Sequence, residues 1–154
     1  MAVIPMDVIR LARPEDRETV EAIVRDAYSI YIPRIGKPPG PMLDDYNVLI
    51  ADGAVSVLEE NDGFIAAIIV LLPETDHLLL DNIAVRPERQ GQGLGRQLIA
   101  FAEAEARRLG HAELRLYTHE MMTENIAFYT RLGFVETGRG HEDGYDRVFM
   151  TKRL

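Results

Sequence analysis

Residues 80–96 read Leu80-Asp81-Asn82-Ile83-Ala84-Val85-Arg86-Pro87-Glu88-Arg89-Gln90-Gly91-Gln92-Gly93-Leu94-Gly95-Arg96. A run rich in Leu, Ile and Val, His77 to Val85, feeds a turn with three alternating glycines, and that turn opens a helix. Leu94, Leu98, Phe101, Ala102, Ala106 and Leu109 share one face of that helix, and Gly110 ends it. Glycine near a helix start costs up to about 1 kcal/mol relative to Ala. Gly93 and Gly95 therefore point to backbone that must approach something closely. The free N–H groups of a first helical turn bind anions, phosphates above all. Arg96 agrees, because a cation in a first turn opposes the helix dipole unless an anion lies between them. Residues 86–96 hold Arg86, Arg89 and Arg96 against Glu88 alone, a basic turn in an acidic chain.

Spacing excludes two phosphate motifs. A Walker A loop needs Lys and then Ser or Thr after its last glycine, and here Gly91 is followed five residues on by Arg96 and Gln97. A dinucleotide fingerprint counted from Gly91 needs Gly or Ala at position 96 and finds Arg.

Upstream, Val8 to Leu11 reads as a strand before Arg13-Pro14-Glu15-Asp16, where Pro14 and the acids suit a first helical turn. Val20, Ile23, Val24, Ala27 and Tyr31 then recur at helical spacing. Ile32 to Pro41 holds four prolines and two glycines in ten residues, which predicts a loop. Met42 to Ala51 reads as a short second helix ended by Asp52-Gly53. Ala54 to Leu58 and Phe64 to Leu72 flank Asn61-Asp62-Gly63, a hairpin signal. Downstream, Ala112 to Tyr117 alternates like a strand. Thr123 is placed to cap a helix carrying Ile126, Tyr129 and Leu132, closed by Gly133. Phe134 to Thr137 and Tyr145 to Met150 read as a terminal strand pair. The order β-α-α-β-β-β-α-β-α-β-β, with one β-α-β crossover, predicts an α+β or mixed α/β layer fold around one sheet.

Gln90-x-x-Gly93-x-Gly95, after a strand and opening a helix, resembles the acetyl-CoA pyrophosphate loop of the GNAT acyltransferase superfamily, whose pattern is Gln/Arg-x-x-Gly-x-Gly/Ala. The order of elements resembles that family along nearly the whole chain. The resemblance implies a single GNAT-like domain over residues 1–154, with a central, mostly antiparallel mixed sheet and helices on both faces. It implies that backbone groups of Ile83, Ala84 and Val85 meet the pantetheine arm. It also implies that the N–H groups of Gln90, Gly91, Gln92, Gly93, Leu94 and Gly95, with Arg96, meet the pyrophosphate. Asn125 to Phe134 is similar to the family's second signature, in which an Asn contacts the cofactor and a Tyr sits by its sulfur. Asn125 and Tyr129 are four apart and share a helix face. Tyr129 is thus the expected general acid for the departing thiolate; a core tyrosine beside Phe128 and Leu132 is the alternative.

The implied activity is an acetyl-CoA-dependent N-acetyltransferase acting on a primary amine through a ternary complex. A non-catalytic acyl-CoA-binding sensor of the same fold is the second reading. An ammonium with a pKa of about 10.4 must lose a proton before attack. Asp81, beside the pantetheine strand, is the base named first; Glu113, His77, His119 and Tyr28 are others. The Pro-rich segment and Gly138 to Gly144 are expected to edge the acceptor pocket, with Arg34 and Lys37 placed to meet a substrate carboxylate.

Composition bounds the partners. The 154 residues are 47% hydrophobic and 27% charged, with no cysteine and a net charge of −8. The missing cysteine excludes a disulfide scaffold, a thiolate metal site and a cysteine nucleophile. The four histidines have no metal-ligand spacing, so no metal is expected. The acidic balance argues against nucleic acid or an anionic membrane as partner. The expected partners are acetyl-CoA and an amine acceptor, with a second copy of the chain as an open option. Nothing in Met1 to Arg10 reads as a targeting segment, and a cytoplasmic location is the default. The charge is uneven: Pro38 to Val85 contains no Lys or Arg and nine acids. A cationic acceptor is expected if Glu74, Asp76 or Asp81 faces its pocket.

Overall fold

The structure, a computed structural model, describes residues 7–154. The reading of Met1 to Met6 lies outside them. Seven strands form one sheet: β1 (Val8–Leu11), β2 (Val55–Glu59), β3 (Ile65–Pro73), β4 (Leu78–Val85), β5 (Glu113–His119), β6 (Val135–Glu142) and β7 (Tyr145–Arg153), in the order β1-β2-β3-β4-β5-β7-β6. The helices are α1 (Arg17–Tyr28), α2 (Ile32–Ile35), α3 (Tyr46–Ala51), α4 (Leu94–Arg108) and α5 (Thr123–Arg131). This is the expected α+β layer fold.

The sheet is covered on both faces. Val20, Ile23 and Val24 of α1 and Ile50 of α3 pack with Val55, Val57, Ile68 and Val70. On the other face Leu98, Ala102 and Ala106 of α4 and Tyr129 of α5 pack with Ile69, Leu80, Leu114, Leu116 and Met150. β3 lies under both layers, so its Ile65–Val70 run is buried without alternation, whereas β5 and β7 alternate because α4 and α5 cover only one of their faces.

Two features of β4 make the site. Its only parallel partner is β5, and that pairing covers just Leu78–Leu80 against Leu114–Leu116, after which β4 stays with β3 and β5 with β7. The sheet therefore splays, and α4, the crossover between the two strands, starts beside the split. A β-bulge falls at the same point: Val70 pairs with Asn82 and Leu71 with Leu80, leaving Asp81 as the extra residue. The bulge switches the faces of β4, so Leu80 and Ile83 pack toward α4 while Ala84 packs toward α1.

Some local expectations differ from the structure. Ile32–Ile35 is one helical turn rather than loop: Pro33 sits in the first turn, where its missing N–H costs nothing, and Gly36 closes the turn at φ +88°. The helix expected over Met42–Ala51 is divided. Gly40–Leu43 is a 3₁₀ turn, Asp44 and Asp45 are extended, and the Asp45 carboxylate accepts the N–H groups of Asn47 and Val48 to restart the helix at Tyr46. Met122, not Thr123, is the N-cap of α5. Gly138 and Gly140 lie inside β6, which turns into β7 only at Asp143-Gly144, both at positive φ.

Candidate active site

The splay opens into two cavities on either side of one wall. The first is a groove of about 520 Å³ between the start of α4, the end of α1 and the face of α5; Ile83, Val85, Gly91, Gly93, Arg96 and Phe128 line it. The second is a cavity of about 130 Å³ between the Pro-rich segment, the β4 bulge and the ends of β5 and β7; Asp44, Asp81, Tyr117, His119, Met122 and Arg147 line it. Tyr28, Asn125 and Tyr129 line both. The two spaces meet at these three side chains.

The groove offers a ladder of backbone donors. Arg86 N–H donates to Ala66 C=O at 3.0 Å, which fixes the hydrogen-bonding phase of the β3–β4 ladder. Ala84 then faces β3, while the N–H and C=O groups of Ile83 and Val85 point to the split. The Ile83 carbonyl is taken by the Tyr28 hydroxyl at 2.8 Å and the Val85 carbonyl by the Gln90 side-chain amide at 3.3 Å. Their N–H groups remain as donors to the groove, and Ala84, expected beside them, contributes no edge group.

The glycine turn follows the same economy. Gly91 and Gly93 have φ of +79° and +82°, the left-handed region that glycine enters without a Cβ clash. Gly95 is required for another reason: a Cβ there would lie 2.9 Å from Cζ of Phe128. The close approach read from sequence at Gly95 is to this ring. The N–H of Gln90 donates to Pro87 C=O at 3.3 Å, so Gln90 shapes the turn by both its backbone and its side chain. Leu94, Gly95 and Arg96 form the first turn of α4, whose N–H groups have no acceptor within the helix. Two of the three arginines are committed elsewhere. Arg86 donates to Ile65 C=O at 2.6 Å, and Arg89 pairs with Glu60 at 2.7 Å. Arg96 is exposed at the helix start and keeps its charge for the groove. These residues fit a bound pyrophosphate: orphan N–H donors, a helix N-terminus and one arginine converge on the same space.

Tyr129 is 6% exposed, stacks edge-on with Phe128 and Phe134, and its hydroxyl has no hydrogen-bond partner among the described residues. Burial raises its pKa, so it enters any reaction as a proton donor. Asn125 sits a turn earlier on α5 and donates to the Met122 sulfur at 3.6 Å.

The acceptor side is more polar. The bulge aims Asp81 into the cavity, where the Tyr117 hydroxyl donates to it at 3.2 Å. Asp44 reaches the same cavity from the segment before α3. Burial and the Asp81 charge push Asp44 up to about 6; burial raises Asp81 as well, opposed by Tyr117, Asp44 and Arg147. Arg147 lies over the Tyr117 ring at 4.3 Å and pairs with Glu142 at 2.9 Å. Asn82, the other bulge residue, donates to the Tyr46 hydroxyl at 3.0 Å and accepts from Tyr28 at 3.1 Å.

Other bases read from sequence fall away. Glu113 and His77 line a separate groove on the outer sheet face, paired with Arg115 at 3.0 Å and Asp76 at 2.7 Å. Tyr28 is a buried donor to Ile83. His119 lines the cavity, but its Nδ1 accepts the Met121 N–H at 3.0 Å, so the proton of the neutral ring sits on Nε2. Burial lowers its pKa and keeps the ring neutral. Arg34 and Lys37 are also committed. Arg34 forks onto Glu124 of α5 at 2.8 Å to both oxygens, and Lys37 donates to Gly144 C=O at 2.5 Å over the Tyr145 ring. Together with Tyr145, whose hydroxyl donates to Pro38 C=O at 2.6 Å, they strap the Pro-rich segment across the cavity. Asp44, Tyr117 and Arg147 were not singled out from sequence as site residues. No local pattern marks them, because they meet Asp81 only through the β4 bulge and the β5–β7 pairing.

A mixed sheet that splays beside a glycine-rich helix start is the architecture of an acetyltransferase fold. The chain belongs to the GNAT acetyltransferase family: residues 51–136 match the acetyltransferase (GNAT) domain. Among curated proteins it is similar to the [ribosomal protein bS18]-alanine N-acetyltransferase of Escherichia coli (strain K12), 39% identical over 75 residues that cover 49% of this chain and 51% of that one. The chain spans about half the length of the curated relatives it matches. Among solved structures, the ribosomal-protein-S18-alanine N-acetyltransferase from Escherichia coli superposes with a TM-score of 0.74 at 26% identity, covering 97% of this chain and 94% of that one. The PaiA N-acetyltransferase of Thermoplasma acidophilum, solved in complex with coenzyme A, superposes at 0.78 with 21% identity over 97% and 99%, a likeness of fold.

Proposed function

We propose that the protein is an acetyl-CoA-dependent N-acetyltransferase that passes the acetyl group directly to a primary amine while both substrates are bound. The observation that carries this is the meeting of the two cavities at Tyr28, Asn125 and Tyr129. Acetyl-CoA supplies an activated thioester. The N–H groups from Gly91 to Arg96 hold its pyrophosphate, and those of Ile83 and Val85 pair with its pantetheine arm as a neighbouring strand would. One of these N–H groups polarises the thioester carbonyl, oxyanion-hole style. The amine approaches from the Asp81 side, Asp81 draws its proton, and Tyr129 protonates the departing sulfur.

Free thiol release from acetyl-CoA across a panel of primary amines tests this. The E. coli relative is named for an alanine of ribosomal protein bS18, so an alanine peptide belongs in the panel beside small amines. We expect turnover with at least one amine and a fall in kcat of about 100-fold in Tyr129→Phe. Coenzyme A binding with no turnover of any amine would support the sensor reading instead.

A further inference from the structure

We propose that the acceptor is a small zwitterion, a free amino acid, whose ammonium is held at Asp81 and whose carboxylate is bound by Arg147. This rests on the acetyltransferase reading above and names the substrate class of its second cavity. Among the described residues that line that cavity, Arg147 is the one Lys or Arg, facing the carboxylates of Asp44 and Asp81. Sequence reading gave a substrate carboxylate to Arg34 and Lys37, which the fold spends on Glu124 and on the Gly144 carbonyl. Strand pairing supplies Arg147 instead.

Alternation along two strands brings it there. Leu116 of β5 and Val148 and Met150 of β7 turn to the core under α4 and α5, so Tyr117, His119, Tyr145 and Arg147 project from the other face. His119 is directly opposite Arg147 in the β5–β7 register, and all four side chains line the cavity. Tyr117 sets the distance between the charges. Its hydroxyl donates to Asp81 at 3.2 Å, and the Arg147 guanidinium lies over its ring at 4.3 Å. Anion and cation thus stand at the edge and on the face of one ring, a separation that the two charged ends of one amino acid bridge.

The guanidinium has capacity for a second anion. The Arg147 side chain is 17% exposed, while its partners Glu142 at 2.9 Å and Asp143 at 3.7 Å are 53% and 83% exposed. Ion pairs with such solvated partners are weak, and they leave other donors of the guanidinium unused. Glu142 lines the outer groove and not the cavity, whereas Arg147 lines both. Glu142 therefore holds the outward edge of the guanidinium, and the inward edge faces the cavity. A planar fork of N–H donors suits a carboxylate in two-point contact. The size of the space agrees. It is about 130 Å³, and Pro39, Gly40 and Pro41 line it beneath the strap that Lys37 and Tyr145 fasten. Pockets for drug-sized ligands run to roughly 300–1,000 Å³, so this one suits an amino acid rather than the end of a polypeptide. The reaction forms the C–N bond of an N-acetyl amino acid and breaks the C–S bond of acetyl-CoA; one proton of the ammonium ends on sulfur and one in solvent.

Thiol release from acetyl-CoA by the full chain tests this. Each standard amino acid is assayed beside its carboxamide, which keeps the amine and lacks the anion. Hydrogen bonds to a charged group are worth roughly 10- to 100-fold in binding, and at least one free amino acid should exceed its amide in kcat/KM by about that factor. In Arg147→Gln, kcat/KM for that amino acid should fall by about 10- to 100-fold, mostly through KM, and for its amide by about threefold or less. Arg147→Lys, which keeps the charge without the fork, should lie between the two. Amides used as well as the acids, or equal losses on both in Arg147→Gln, overturn the proposal. A peptide amine used better than every free amino acid overturns it as well. A retained coenzyme A melting shift shows that the variants fold, and the comparison of acid with amide in the unaltered protein needs no variant. Turnover of amines without preference for the acid refutes only this substrate class; no turnover of any amine refutes the acetyltransferase reading with it.

Discussion

At the scale of residues, the site is built from groups denied their usual partners. The Tyr129 ring is buried and its hydroxyl opens to the junction of the two cavities, so removing that oxygen disturbs no hydrogen bond among the described residues. Tyr129→Phe is therefore expected to leave the melting temperature within about 2 °C, while kcat falls steeply; thermal unfolding beside thiol-release kinetics separates the two. Gly95 has the opposite profile. Its missing Cβ makes room for Phe128, so Gly95→Ala forces the ring to move. Overpacking of this kind costs about 1–3 kcal/mol, against about 1 kcal/mol gained from helix propensity. A net loss of about 0–2 kcal/mol is expected from denaturant unfolding, relieved in Gly95→Ala/Phe128→Leu. The sequence marked Gly95 correctly as a place of close approach. It could not say that the neighbour is a phenylalanine 33 positions further on, because that contact depends on how α5 packs against α4.

At the scale of elements, the strap over the acceptor cavity joins parts of the chain that sequence reading kept separate. Pro38 meets Tyr145, Lys37 meets Gly144 and Arg34 meets Glu124. Loss of one neutral hydrogen bond is worth about 1 kcal/mol, or roughly fivefold in an equilibrium. Tyr145→Phe should accordingly raise KM for the amine about fivefold and leave KM for acetyl-CoA unchanged; a matched rise in both would move the strap's role to the whole fold. Most elements were legible from local patterns: the glycine-turn helix, the hairpin at Asn61-Asp62-Gly63 and the alternating β5. What failed did so for local physical reasons. Pro33 sits where a first turn tolerates proline, and the Asp45 side chain restarts a helix that hydrophobic spacing ran together. Asp143-Gly144, rather than the two glycines upstream, forms the turn between β6 and β7.

At the scale of the molecule, the acid-rich middle of the chain divides into scaffold and site. Glu59 pairs with Arg10, Glu60 with Arg89 and Asp76 with His77, while Asp45 and Asp62 bind backbone N–H groups. Only Asp44 and Asp81 of this block line the acceptor cavity, so Asp76, read from sequence as one of its possible acids, belongs to the outer face. The same contrast sets the acid stability. Asp16 is held low chiefly by the Arg10 guanidinium at 2.8 Å and also accepts the Arg13 N–H at 2.7 Å. Its folded pKa lies below the unfolded value of about 3.9, so its contribution is full above that pH and is lost as pH falls through the folded pKa. Asp16→Ala should cost about 2–3 kcal/mol at pH 7 in urea unfolding, and less as the pH drops below about 4. The glycine turn at the splay is proposed to hold the phosphates of coenzyme A. Melting temperature with and without millimolar coenzyme A, in the unaltered protein and in Gly93→Asp, tests it most directly. A clear rise is expected in the first and none in the second, where a carboxylate faces the phosphates. An unaltered protein that does not respond, or a Gly93→Asp variant that responds equally, would contradict it.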